Sequence, residues 1–302
     1  MLQPEGPAVP EPCRGLHVSD AEWLQLFYPW LAQHPTWWIE LRFVEDRADP
    51  GVKNPPVAVR FLQETAEIAA HLREHRALAV QRAERVRQGM SGPWPAGLFW
   101  GVQPRVTQRG GREHVAAFVA LAASMDCGDW GEWAEKQRAR VMWEALHRCP
   151  LPPSVITWSG SGFDAWWLLR EPLFDKRRGE AVQRAIARCL HADPTADAAS
   201  LCRWPNTVNY RGLPHERSRP ARVVWWQPEV RFAFPMLLER FLPYAAPGIL
   251  TGTMLAVGIL YVALAWWGMR RGLHWAQVSV ISSAFLGFLS FTKPEGAVAA
   301  TM

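Results

Sequence analysis

Three stretches of the sequence carry residues that could do chemistry on phosphates. In chain order they are ALAASMDCGDW (120–130), PPSVITWSGSGFDAWWLLREP (152–172) and ADPTADAASLCRWPNTVNYRG (192–212). The carboxylates of Asp126, Asp193 and Asp197 are hard oxygen donors of the kind that Mg²⁺ or Mn²⁺ prefers. Gly160 and Gly162 lack side chains, so backbone amides there can approach a phosphate closely. Metal-assisted chemistry on a phosphate substrate is therefore one interpretation of these residues.

Each stretch also has a purely structural interpretation. The acids from Asp126 to Asp129 could precede a helix and interact favourably with its dipole. The sequence Ser159-Gly-Ser-Gly could be a hairpin turn between two strands. Asp193 and Asp197 could serve turn and capping roles. On residue types alone both interpretations stay open for all three stretches.

The pattern around these stretches alternates between strands and helices. Helical spacing predicts a short helix capped by Ser19 and Asp20, and further helices over Phe61–Gln88, Glu132–His147 and Gly179–Leu190. Strands are predicted at TWWIELRFVED, at Leu98–Arg105, in the run from His114 to Asp129, and at SVITW and FDAWWLL on either side of the glycines. The expected fold class is α+β or α/β with a mostly central sheet.

The composition of the chain indicates the class of protein, the charge of its partner and its cellular location. The 302 residues are 49% hydrophobic, enough to bury a sizeable core, and the net charge of +5 favours an anionic partner. The five cysteines are scattered without a C-x-x-C pair, which predicts a reducing, cytoplasmic location and neither a zinc site nor a disulfide framework. The eighteen tryptophans are expected mainly in the core, with stacking on unpaired bases as the alternative.

The two ends of the chain differ from its middle. Residues 1–18 are rich in proline and are expected to form a disordered leader, followed by one domain over 19–243. The tail at 244–302 contains two long apolar runs, Gly248–Trp267 and Trp275–Phe291, so a transmembrane hairpin over 248–291 is predicted. A buried helical pair and a rearranged reading frame are the alternatives for this tail.

In order and spacing, the three stretches resemble the catalytic domain of archaeo-eukaryotic primase-polymerases, in the branch carried by mobile elements such as phages and plasmids. The resemblance covers about residues 37–243. It implies an α+β fold with an RRM-like catalytic core and flanking helices. It also implies a nucleotidyltransferase that uses Mg²⁺ or Mn²⁺, with nucleoside triphosphates and single-stranded DNA template as substrates, and a helicase as a further partner.

The resemblance also implies roles for individual residues, with two departures from the family pattern. Asp126 and Asp193 would be metal ligands, with Asp197 as the alternative third acid. Ser124 stands where the family has its first carboxylate, and Asp164 stands where a histidine contacts the nucleotide's phosphates. The remaining residues with an implied role in nucleotide or phosphate binding are Arg105, Ser159, Gly160, Ser161, Gly162, Arg203 and Asn209.

Three functional hypotheses follow from these residues. The first is a DNA primase-polymerase of a mobile element, with metal affinity reduced because a serine at position 124 brings no charge. The second is a non-catalytic replication protein that binds nucleic acid or nucleotide on the same fold. The third is a membrane-associated interaction protein, which depends on the apolar tail.

Overall fold

The computed structural model describes residues 15–46, 56–126, 132–193, 197–211 and 218–245, with no side chains described at 132–136. The helices are α1 (Asp20–Phe27), α2 (Thr65–Arg87), α3 (Glu132–Arg148), α4 (Lys176–Leu190) and α5 (Phe234–Phe241). The strands are β1 (Ile39–Glu45), β2 (Pro56–Leu62), β3 (Ala96–Gly101), β4 (Phe118–Asp126), β5 (Val155–Trp158), β6 (Gly162–Leu173), β7 (Leu201–Arg203), β8 (Val208–Asn209), β9 (Arg219–Pro220) and β10 (Arg222–Trp226).

The strands form two four-stranded sheets and one small pair. The first sheet has the order β2-β1-β3-β7, the second has the order β10-β5-β6-β4, and β8 pairs with β9. Every named pair is antiparallel, so the α+β alternative of the predicted class is the one observed.

Two hydrophobic clusters hold these layers. One is shared by both sheets and α1, and Trp23 of α1 contacts Trp100 of β3 and Trp166 of β6 edge to face. The other packs α3, α4 and α5 against the opposite side of the second sheet. The prediction that tryptophans belong to the core is confirmed at Trp166 and Trp167, which are completely buried.

Strand β4 lies at an edge of the second sheet, and buried glutamines satisfy its outer backbone groups. Gln103 donates to the Ala120 carbonyl at 2.7 Å and accepts from the Val119 amide at 2.8 Å. Gln183 of α4 accepts from the Ala122 amide at 3.1 Å. The strand that ends in Asp126 is thus fixed on both sides.

The predicted boundaries differ from the observed ones in three places. The leader was expected to extend to residue 18, but Leu16 pairs with Val223 and Val18 is buried. The helix expected from Phe61 begins at Thr65, because residues 56–62 form β2 against β1. The strand expected to reach Arg105 ends at Gly101, and Arg105 makes only isolated bridges.

The helix capped at Ser19 is confirmed. The Glu22 amide donates to Ser19 Oγ at 3.2 Å, and the Ser19 amide donates to the Glu22 carboxylate at 2.7 Å. None of the helices in the described ranges is long and apolar enough to cross a bilayer. The predicted membrane hairpin at 248–291 lies outside those ranges, as do residues 1–14 of the leader.

Candidate active site

A row of three polar side chains crosses the second sheet. Ser124 of β4 lies directly opposite Asp164 of β6, which lies directly opposite Thr157 of β5. Directly opposed residues point to the same side of a sheet, so the three side chains lie next to one another. The next row on that side, Ala122, Trp166 and Val155, belongs to the cluster shared by both sheets. The polar row therefore lies where this core ends.

Asp164 is the central member of this polar row and is 5% exposed. Its Oδ1 accepts a hydrogen bond from Ser124 Oγ. Burial raises the pKa of Asp164 to about 6, while the Ser124 hydrogen bond and the positive charge of Arg203 lower it and the negative charge of Asp126 raises it further. The carboxyl group of Asp164 thus interacts with three other residues that the sequence singled out, namely Ser124, Arg203 and Asp126.

Asp126 is the last residue of β4, and its side chain is exposed beyond the polar row. It is two residues beyond Ser124, so both side chains are on one side of the sheet. Its cross-strand neighbour is Gly162, the first residue of β6. Asp129, the alternative acid from the following turn, lies outside the described residues.

The glycine-containing turn closes the hairpin between β5 and β6. The Ser159 amide and hydroxyl both donate to the Gly162 carbonyl, at 2.8 and 3.1 Å. Gly160 has φ +94°, a conformation that favours glycine. The hairpin interpretation therefore describes the geometry of this turn, and phosphate binding by Ser159, Gly160, Ser161 and Gly162 stays a prediction.

Asn209 of β8 supports this turn from outside. Its Nδ2 donates to the Ser159 carbonyl at 3.4 Å, and its Oδ1 accepts from the Arg211 amide at 3.1 Å. A Cβ atom placed on Gly160 would lie 2.7 Å from the Cβ of Asn209. The contact joins the second and third motif stretches, which are about fifty residues apart.

Arg203 and Arg105, both expected on phosphate, lie buried in ion pairs. Arg203 forms two hydrogen bonds with Asp46, at 2.8 and 2.9 Å, and its guanidinium lies 4.5 Å from the ring centre of Phe99. Arg105 is completely buried and its Nε donates to Glu40 at 2.8 Å. The observed contacts give both arginines a positioning role, and their contact with phosphate stays a prediction.

The two remaining acids lie on the segment that follows α4. The Asp193 amide donates to the Ser124 carbonyl at 2.9 Å, so Asp193 lies beside the polar row while its own side chain is exposed. Asp197 caps a turn, because its Oδ1 accepts from the Ala199 amide at 2.8 Å. For Asp197 the capping interpretation is therefore observed, and metal binding by either acid stays a prediction.

The donor set of this region suits a hard cation. Asp126 and Asp164 supply carboxylates, and Ser124 and Thr157 supply hydroxyls. No three His, Cys, Asp or Glu side chains are grouped for metal binding anywhere in the described ranges. Mg²⁺ is commonly held by one or two carboxylates with substrate phosphates completing its shell, so these residues fit such an ion.

Solved structures of other proteins provide a comparison for this arrangement. The solved structures that align with this chain include primase domains. The AEP domain of the primase-polymerase of cyanophage S-2L has a TM-score of 0.43 and 17% identity, covering 72% of this chain and 96% of that one. The primase RepB′ has a TM-score of 0.44 and 12% identity, covering 82% of this chain and 69% of that one. The catalytic domain of RepB′ in complex with initiator DNA has a TM-score of 0.42 and 12% identity, covering 72% and 92%.

Comparison with protein-family models gives no match for this sequence. Comparison with the sequences of curated proteins gives none either.

Four residues of the site were not predicted from the sequence. Asp46 and Glu40 hold the two buried arginines, Thr157 completes the polar row, and Gln183 joins α4 to both β4 and the Asp197 carbonyl. A polar residue inside the apolar strand sequence VITW was the available signal for Thr157. The other three act over long sequence separations, which local patterns do not reveal.

Proposed function

We propose that this region is the nucleotidyl-transfer site of a primase-polymerase-type domain from a mobile-element replication protein. The observation that carries this proposal is the convergence of three stretches that are far apart in sequence. Ser124 contacts Asp164, Asn209 contacts Ser159, and the charge of Arg203 acts on Asp164. The proposed reaction joins nucleoside triphosphates on a single-stranded DNA template, within an RRM-like catalytic core.

A bound Mg²⁺ or Mn²⁺ would activate a hydroxyl and neutralise charge on the triphosphate. Asp126 would hold this ion, with Ser124 beside it and Asp193 or Asp197 as the further acid. The turn at 159–162 would offer backbone amides to the phosphates, and Asn209 would keep this turn in place. Arg203 would contribute positive charge while Asp46 fixes its orientation.

A second function on the same fold has one specific observation in its favour. Ser124 brings no charge to the position where the resemblance implies an acid, so nucleic acid or nucleotide could be bound without being joined. A helicase partner and a cytoplasmic location are further proposals. The third hypothesis, membrane association through 248–291, concerns residues outside the described ranges.

Primer synthesis and extension on a single-stranded template with Mn²⁺ test the proposed reaction. We expect the natural chain to incorporate nucleotides and Asp126→Asn to lose activity by on the order of 100-fold or more, because a charged metal ligand becomes neutral. An inactive natural chain would contradict the proposal. Activity only in the double variant Ser124→Asp with Asp164→His would favour the non-catalytic alternative.

A further inference from the structure

We propose that Asp164 is a cation-binding carboxylate at the polar row of the second sheet, acting with Asp126, and that the hydroxyls of Ser124 and Thr157 complete the site. The acid that is missing at position 124 would thus be supplied by the neighbouring strand. The class of ligand is a hard divalent cation, Mg²⁺ or Mn²⁺. The inference rests on the proposed function only for the catalytic role of the cation. Its test measures binding of the cation, without any measurement of activity.

The first supporting observation is the position of Asp164. It lies directly opposite Ser124, and its Oδ1 accepts the Ser124 hydrogen bond, so its carboxylate occupies the space beside position 124. Asp126 is the diagonal neighbour, two residues further along β4. Side chains at diagonal positions of an antiparallel pair have Cα atoms about 7–8 Å apart and can approach each other. One small ion could therefore be shared by both carboxylates.

The second observation is that Asp164 is buried without an ion-pair partner among the described residues, although Arg203 is close enough for its charge to act on the carboxyl group. The other buried acids of the described ranges all form ion pairs: Glu40 with Arg105, Asp46 with Arg203, and Glu180 with Arg112. Among the described residues, no Lys, Arg or His forms an ion pair with Asp164. A buried carboxylate is costly unless it is paired or coordinates a metal, so a cation would provide the missing partner.

The third observation is independent of the acids. Thr157 Oγ1 is buried, with 1% of the residue exposed, and has no hydrogen-bond partner in the part of the chain that the structure describes. It lies on the other side of Asp164 from Ser124. An unsatisfied buried hydroxyl costs about 1–3 kcal/mol. A water molecule or phosphate oxygen on a bound cation would give this hydroxyl its partner.

The proposal is tested by titrating the full chain with Mn²⁺ in the absence of nucleotide and DNA. Electron paramagnetic resonance measures the Mn²⁺ that stays free. We expect Asp164→Asn and Asp126→Asn each to weaken binding by about 10- to 100-fold. The exchange variant Ser124→Asp with Asp164→Ser should stay within about threefold of the natural chain, because the same number of carboxylates faces the ion. Circular dichroism and thermal unfolding would establish that each variant is folded.

A matched control is Asp175→Asn. Asp175 is exposed and caps α4, accepting from the Arg178 amide at 3.1 Å, and asparagine caps helices equally well. This variant should bind Mn²⁺ as the natural chain does. Unchanged Mn²⁺ binding in folded Asp164→Asn, or no binding by the natural chain, would overturn the proposal.

The same variants separate this inference from the proposed function. If Mn²⁺ binding depends on Asp164 but the natural chain joins no nucleotides, the cation site stands and the proposed function fails. If the natural chain joins nucleotides and Asp164→Asn keeps both Mn²⁺ binding and synthesis, the proposed function stands and the role of Asp164 is wrong.

Discussion

At the scale of single residues, the buried arginines near the polar row are neutralised by buried acids. Arg203 and Asp46 are both almost fully buried and meet through two parallel hydrogen bonds. The Asp46 carboxylate also accepts from the Tyr210 amide at 3.0 Å. One ion pair thereby joins the end of β1, strand β7 and the segment after β8. Loss of this ion pair should loosen the packing of these three segments and remove a positive charge near Asp164.

We predict that Arg203→Ala lowers the free energy of unfolding by about 3–5 kcal/mol, because Asp46 would be left buried without its partner. Urea unfolding measures this loss. Arg211→Ala is the control. Arg211 is half exposed and its ion pair with Asp46 is long, at 4.0 Å, so this substitution should lower the free energy of unfolding by about 1 kcal/mol or less. Full stability of Arg203→Ala, combined with loss of nucleotide binding, would instead mean that Arg203 serves the ligand directly.

The sequence allowed some of these residues to be predicted and not others. The motif resemblance marked Ser124, Asp126 and Asp164, and the structure places them together. It did not show that Arg203 is paired, because Asp46 lies 157 residues earlier and no spacing rule connects them. Buried ion pairs between distant strands depend on the tertiary arrangement, which periodicity does not specify.

At the scale of elements, the hairpin between β5 and β6 determines where the glycine turn and Asp164 lie. Asn209 packs against this turn at Gly160, and the Arg219 carbonyl would lie 3.2 Å from a Cβ atom added there. Gly160 therefore needs both its positive φ and its missing side chain. The predicted turn and strands of this hairpin agree with the structure because turn glycines and apolar strands are local signals.

We predict that Gly160→Ala lowers the free energy of unfolding by at least about 3 kcal/mol. Backbone strain at positive φ alone costs about 1–3 kcal/mol, and the overlap of the new methyl group with Asn209 adds to it. The matched control is Gly89→Ala, at φ +71° with no atom within 4 Å of the added Cβ, where only about 1 kcal/mol should be lost. Thermal or urea unfolding compares the two variants. Equal losses at both positions would show that the packing of Asn209 on the turn is unimportant.

Strand β2 shows where element prediction failed. Its residues 56–62 begin with a proline, and the helical spacing predicts that residues 61–62 belong to the following helix. Val57 and Val59 favour a strand, but the pairing with β1 that stabilises it is a tertiary contact. The alternating patterns left α+β and α/β both open, because the division into two antiparallel sheets depends on such pairings.

At the scale of the described unit, the site lies where the core shared by both sheets ends. The second sheet contributes Ser124, Asp164 and Thr157, while Arg203 comes from a strand of the first sheet. Cys202, next to Arg203 on β7, is close enough for Asp164 to raise the pKa of its thiol, although burial is the larger cause. The order of the strands therefore brings residues of the motif stretches from both sheets together.

Anomalous X-ray diffraction at the manganese edge tests this account most directly, using crystals grown with Mn²⁺ and a non-hydrolysable nucleoside triphosphate. The account predicts a manganese peak with carboxylate oxygens of both Asp126 and Asp164 at roughly 2–2.3 Å, and with triphosphate oxygens completing its shell. Manganese bound to the nucleotide but held by Asp193 or Asp197, with Asp164 uninvolved, would contradict it.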